Sequence, residues 1–297
     1  IKAAQMKKVR EVDFVEQFGG DILPKLMEVL GVTRQIPMME GTTMYVYKTT
    51  GTLQSGSVPE GEIIPLSQYQ RTKTAVGEIT LKKWRKASSA EAIKKSGYDE
   101  AVTQTDAKLL KDVQKGIRTD FFTFLGTMDG STSGTPATGA TLQPALADAW
   151  GQLQVLFEDD AAEAVYFINP LDISAYLGTA QITVQTAFGM SYVEDFLGLG
   201  TVIMSSQITE GTFYATAKEN LILYYLTMNG DIASAFELTA DATGYIGIKS
   251  GYQNEERAQI ESLIMSGIQF LVEYADGVVV GTIGESGETG ETGATGA

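Results

Sequence analysis

Between residues 98 and 125 the apolar positions Ala101, Leu109, Val113, Ile117, Phe121 and Leu125 fall at multiples of four, with charged residues between them. That spacing predicts one amphipathic helix, about 40 Å long at 1.5 Å per residue. Ser96-Gly97 precedes it, Asp99 and Glu100 put negative charge near its start, and Gly126 closes it. Lys111, Lys115 and Arg118 lie toward its other end, in the sense the helix macrodipole favours. Gly116 should cost about 1 kcal/mol against alanine, which predicts either a close neighbour or a bend at that point.

Other periodicities surround this helix. Val9, Val12, Val15 and Phe18 suit a short helix, and Asp21 caps a second through Leu23, Leu26, Met27 and Leu30 to Gly31. Each is too short to bury much alone, so together they read as an arm that lies on something else. Met44 and Val46 against Tyr45 and Tyr47 predict a strand over 43–48, and 69–81 returns as β. The Gly-, Ser- and Pro-rich stretch 51–61 between them makes a projecting hairpin, which needs a neighbour because an isolated two-stranded ribbon is marginal in water. After the long helix, 142–157 is predicted helical with Leu146, Trp150, Leu153 and Phe157 on one face. Residues 164–168 form an apolar strand ended by Asn169-Pro170, and 171–177 is a short helix. Short strands follow at 200–204, 211–215, 221–225 and 244–248, describing an α/β body with a central sheet. Ile260, Ser262, Ile264, Ser266, Ile268 and Phe270 at period two predict one long strand, and 278–280 ends the fold.

Composition narrows the chemistry. The 297 residues are 43% hydrophobic and 20% charged, as in a folded protein. There is no cysteine and no histidine. That excludes Ser-His-Asp and Cys-His catalysis and removes the usual transition-metal ligands, so no metal or cofactor is expected. No run of about 18 apolar residues occurs, so no membrane span is expected, and without an apolar signal core the chain reads as soluble and made in a cytoplasm. It begins at Ile1, as either a trimmed mature chain or a sequence that starts late would.

The net charge of −15 is unevenly placed: residues 1–120 hold 19 Lys and Arg against 15 Asp and Glu, and residues 121–297 hold 3 against 22. Packing the first half of one copy on the second half of the next would gain steering from that asymmetry, whereas two independently solvated surfaces would not use it. Lys82-Lys83-Trp84-Arg85-Lys86 reads either as a phosphate-contacting patch or as the solvated end of a strand with Trp84 in the core. Glycine recurs every third position at Gly281, Gly284, Gly287, Gly290, Gly293 and Gly296. That is collagen-type periodicity without proline, read as a tail that self-associates in threes or as a flexible acidic segment.

An N-terminal arm, a projecting hairpin, a long helix, an α/β body and a final long strand resemble, in that order, the major capsid proteins of tailed bacteriophages. The segment Val58-Pro59-Glu60-Gly61-Glu62-Ile63-Ile64-Pro65-Leu66-Ser67 is similar to the Glu-Gly-x-x-Ile-Pro stretch of their projecting loop. The resemblance implies an α+β protein of the Hong Kong 97-type capsid fold. Its parts would be an N-terminal arm (1–42), an extended loop (43–81) and a peripheral domain (82–143) with the spine helix at 98–125. An axial domain (144–237), peripheral return strands (238–280) and the collagen-like tail (281–297) would follow.

It further implies a structural, non-enzymatic subunit of a virion capsid, assembled in a bacterial host cytoplasm as hexamers and pentamers around double-stranded DNA contacted non-specifically. Portal and scaffold proteins would be its other partners. Lys48, Val58, Pro59, Glu60, Gly61 and Glu62 would make the inter-subunit contact of the loop, and Leu109, Val113, Ile117 and Phe121 the buried face of the spine. Some members crosslink a loop lysine to a neighbour's asparagine; Lys48 is the one lysine between Met44 and Arg71, and nothing in the sequence selects among Asn169, Asn220, Asn229 and Asn254. The acidic half is expected to face outward or into subunit contacts, and the basic arm, hairpin and helix to lie nearer the lumen. The alternatives are an encapsulin-like shell enclosing enzymes, and a carboxylate-pair enzyme using Glu158-Asp159-Asp160, for which no Gly-rich phosphate loop is present.

Overall fold

The computed structural model describes residues 32, 34–128, 136–157, 163–178, 184–187, 190–240 and 244–284. The arm at 1–31, the acids at 158–160 and the glycines from Gly287 onward lie outside them. The chain begins with strands β1 (Arg34–Met38), β2 (Thr43–Thr52), β3 (Gln68–Glu78) and β4 (Lys82–Ser89) and a short helix α1 (Ala90–Ser96). A π-helical segment, Asp99–Gln104, then leads into the long helix α2 (Thr105–Leu125). Next come β5 (Ala137–Gly139), α3 (Leu142–Leu156), β6 (Ala164–Ile168), α4 (Pro170–Leu177), β7 (Gln185–Ala187), β8 (Met190–Val193), β9 (Thr201–Met204), β10 (Thr212–Ala217) and β11 (Leu221–Leu226). Helix α5 (Asp231–Phe236) and strands β12 (Thr239–Ala240), β13 (Ile246–Asn254), β14 (Gln259–Ser266), β15 (Ile268–Val272) and β16 (Val278–Ile283) complete it.

Two compact units share these elements. The first comprises Arg34–Val113 and Asn220–Asp276, the second Gln114–Glu219 with the chain from Gly277 onward. This division differs from the sequence boundaries: residues 220–237 side with the first unit, and 114–143 and β16 with the second, so α2 is divided between them.

In the first unit β1, β11 and β15 form one sheet, and β12, β13, β14 and β4 another. The expected single strand over 260–270 is two strands in two sheets. Gly267 separates them, and a Cβ there would come within 2.5 Å of the Leu226 side chain. The chain therefore changes sheets where only glycine lets it pass so close to β11. Ile264, Met265, Ile268 and Leu271 are all buried, so neither face of this stretch is a solvent face.

The predicted helix at 98–125 is also two pieces, a π turn followed by regular α-helix. Widening a turn frees backbone carbonyls, and here side chains take them up. Ser88 Oγ donates to the Ala101 carbonyl at 2.7 Å and Lys86 Nζ to the Val102 carbonyl at 2.9 Å. Lys86 also reaches Thr105 Oγ1 and Asp106 Oδ1, both at 2.6 Å, and Asp106 is 4% exposed. One lysine of the basic run thus locks β4 to the start of the helix. Gly116 meets nothing within 4 Å while α2 continues through it, so no close neighbour explains it.

The second unit is built on a sheet ordered β5-β16-β10-β6-β9-β8-β7. Helix α3 covers one face through Leu142, Ala145, Leu146, Ala149 and Leu153. The expected inward Trp150 is 40% exposed, because the small Ala145 and Ala149 let the helix approach closely and turn that face to the sheet. On β6, Tyr166 belongs to the core beneath α3, and its neighbour Phe167 meets Phe121 and Phe122 of α2, with ring centroids 5.3 and 6.0 Å away.

Candidate assembly surface

The β2–β3 hairpin is longer than its sequence pattern, pairing Thr43 with Glu78 and Thr52 with Gln68 around a loop at 53–67. Its base is held: Met44 and Val46 are buried, and Tyr47 N–H donates to the Glu273 carbonyl at 2.8 Å. Across the ribbon, the Arg71 guanidinium lies 3.9 Å from the Tyr47 ring centroid and 3.8 Å from Glu273 Oε1; Glu273 is also paired with Arg34. Beyond this clamp the ribbon has no packed side.

The loop exposes apolar side chains: Leu53 at 76%, Ile63 at 92%, Ile64 at 75% and Leu66 at 78%. Apolar side chains clustered in the open on one loop make it a candidate contact surface. Its shape is set locally. Glu62 N–H closes a turn on the Pro59 carbonyl at 3.1 Å with Gly61 at φ 88°, the conformation a type II turn demands at its third position. Gln54 N–H donates to Ser67 Oγ at 2.9 Å and ties the two sides together.

The structure brings Pro59, Glu60, Gly61 and Glu62 together on that exposed turn, with Val58 half-buried beside it. Lys48 is half-buried on β2, where its carbonyl accepts from Thr72 Oγ1 at 3.2 Å. Of the asparagines, Asn169 donates to the Ile208 carbonyl, Asn220 to the Tyr274 carbonyl and Asn254 to Glu261, so these three amides hold the fold together. Val113, Ile117 and Phe121 are buried on the long helix; Leu109 is half-buried and Leu110 takes the inward place. Gly281 lies inside β16, and Gly284 follows its end. The exposed Ile63, Ile64 and Leu66 lie outside the predicted contact set, although an apolar triplet inside a polar loop is visible in the sequence.

Ionisable groups serve the scaffold. Glu261 is 2% exposed, and hydrogen bonds from Tyr252 and Asn254, with Arg85 and Arg257 nearby, hold its carboxyl below the usual range despite burial. Burial, then the bond to Glu261, pushes the Tyr252 hydroxyl up to about 12. Among the described residues no group of three or more acids is placed to hold a metal ion.

No family model matches the sequence, and no curated protein does. Solved structures do. The chain is similar to the capsid protein of the native GTA particle at TM-score 0.55 and 9% identity, covering 86% of this chain and 90% of that one. It is similar to the SrpI encapsulin of Synechococcus elongatus PCC 7942 at TM-score 0.52 and 10% identity, covering 89% and 90%. A chain of Gordonia phage Cozz is similar at TM-score 0.49 and 14% identity, covering 87% and 86%. The first two define the architecture: this chain has the Hong Kong 97-type capsid fold, a mixed helix-and-sheet fold of shell-forming proteins.

Proposed function

We propose that this chain is a shell subunit, the major capsid protein of a tailed bacteriophage, which closes as hexamers and pentamers around double-stranded DNA. The observation that carries the reading is the clamped hairpin with its open apolar loop, on a fold that capsids and encapsulins share. In this reading 43–81 is the extended loop lying across the next copy, and α2 with its π turn is the spine. The peripheral domain would combine 82–143 with the strands at 238–280, and the axial domain would be 144–237. The work is done by interfaces, and no catalytic centre is invoked. The second unit's acidic surface would face outward or into subunit contacts, away from packed DNA.

An encapsulin-like shell is the second reading, favoured by the match to SrpI over nine-tenths of both chains. Electron microscopy of the purified protein, with size-exclusion chromatography, tests both. Closed particles or rings of five and six are expected; a stable monomer at high concentration counts against either. Particles that copurify with nuclease-sensitive DNA support the phage reading, and particles holding a cargo protein the encapsulin one.

A further inference from the structure

The second unit carries few cations. Between 114 and 219 and beyond 277 they are Lys115, Arg118 and Lys218. Lys115 and Arg118, one turn apart on α2, line the same cleft of about 260 Å³. Opposite them stand the hydroxyl-bearing Ser191, Ser205 and Ser206, with Gln207, whose amide donates to Thr119 Oγ1 at 3.1 Å. Two cations and three serines lining one cleft suit a carboxylate or another small oxyanion. The cleft opens at the carboxyl ends of the parallel strands β6 and β9, where open sheets commonly take ligands.

The chain leaves the fold at the same edge. Gly281 pairs with Phe213, Phe213 with Ile168 and Ile168 with Met204, so these residues form one row across β16, β10, β6 and β9. Three strand spacings separate Gly281 from Met204, about 14 Å. The loop that lines the cleft at Ser205–Gln207 continues to Gly211, whose carbonyl accepts from Ile283 N–H at 2.8 Å. Beyond Gly284 the sequence carries Glu285, Glu288 and Glu291 and no cation. Counted from Gly284, the last residue the structure describes, seven extended residues reach about 24 Å, so Glu291 can span the three strand spacings.

We infer that the cleft between Lys115, Arg118 and the 205–207 loop is a docking site for the acidic Gly-x-y segment of the same chain, seating a glutamate side chain from 285–291. Charge complementarity selects this occupant. The segment is a tethered anion at high effective concentration, whereas a nucleic acid would have to approach a strongly acidic unit.

The absence of native cysteine allows a direct test on the full chain. Ser206→Cys with Thr289→Cys places one thiol at the cleft and one in the segment. Thr138→Cys with Thr289→Cys is the proximity control, since Thr138 pairs with Thr282 one strand from the root. We expect the cleft pair to form an intramolecular disulfide faster than the control. Glu285→Gln/Glu288→Gln/Glu291→Gln, which leaves every residue of the fold in place, should slow it by roughly fivefold, as should Lys115→Gln/Arg118→Gln. A rate indifferent to both sets of charges overturns the inference. So do disulfides that form only between copies, as a segment associating in threes would give. Loss of nucleic-acid binding in Lys115→Gln/Arg118→Gln with the disulfide rate unchanged also overturns it, by assigning the cleft to phosphate.

Discussion

Phe213 stands opposite Gly281 in the antiparallel pairing of β10 and β16, and a Cβ on Gly281 would come within 2.1 Å of its ring. The first glycine of the triplet series is therefore demanded by packing inside the sheet, whatever the later ones do. Gly281→Ala should lower stability by about 1–3 kcal/mol through overpacking. At Gly284 the space is open but φ is 117°, so Gly284→Ala should cost about 1 kcal/mol through backbone strain alone. Urea denaturation of both variants checks the order; equal losses would mean the ring is not the cause.

Lys86 and Asp106 are mutually dependent. Lys86→Met leaves a buried carboxylate that still accepts from Ser250 Oγ at 3.1 Å but has lost its cation, and should cost about 3–5 kcal/mol. Replacing both, as Lys86→Met/Asp106→Leu, should recover most of that loss. A single variant that melts with the parent protein would show that the pair does not anchor the π turn.

Acid sensitivity should have an identifiable source in Glu261. Its carboxyl is held below its ordinary value in the folded chain, so its contribution is fully present above about pH 4.3, the unfolded value, and is lost as pH falls through the folded one. Tyr252 acts at the opposite limit. Its folded value of about 12 exceeds the unfolded value of about 10, so its contribution holds below about pH 10 and fades as pH rises toward 12. Denaturant midpoints across pH 3–6 (about the acid limb) should show a shallower slope for Glu261→Gln than for the parent.

Polar substitution of the loop should separate folding from assembly. Ile63→Ser/Ile64→Ser/Leu66→Ser removes side chains that the single chain leaves open, so its stability should change by less than about 0.5 kcal/mol. Assembly, followed by light scattering and electron microscopy, should be lost. Particles forming at the parental rate would remove the loop from the proposed interface.

Gly116→Ala is expected to stabilise the unassembled chain by about 0.5–1 kcal/mol, since the position is helical, has no positive φ and faces open space. Thermal unfolding measures it directly. A loss instead would require a contact outside the single chain.

Much of the fold was legible because its signals are local. The strand at 164–168 coincides with its apolar run, and the helices at 142–156 and 170–177 agree within a residue, since Asn169-Pro170 supplies cap and first position together. The hairpin was legible as an apolar-alternating pair around a breaker-rich loop. The errors share one cause. At 260–270 the period-two pattern continues unbroken while the chain changes sheets at Gly267, a switch decided by Leu226, which lies forty-one residues away. On α3, both Ala149 and Trp150 could have faced inward, and packing against the sheet buries Ala149 and leaves Trp150 40% exposed.

The residues by themselves determined the hairpin, the long helix, the helices and strand between 142 and 177, the absence of cysteine and histidine chemistry, the charge asymmetry and the triplet glycines, because each is a property of composition or of spacing along a few turns. Tertiary structure alone decided that Lys86 points into a buried knot, that Gly281 makes room for Phe213, and that Lys115 and Arg118 line one cleft with three serines. Each depends on partners distant in sequence, whose meeting is set by sheet order and register, and no local periodicity encodes that.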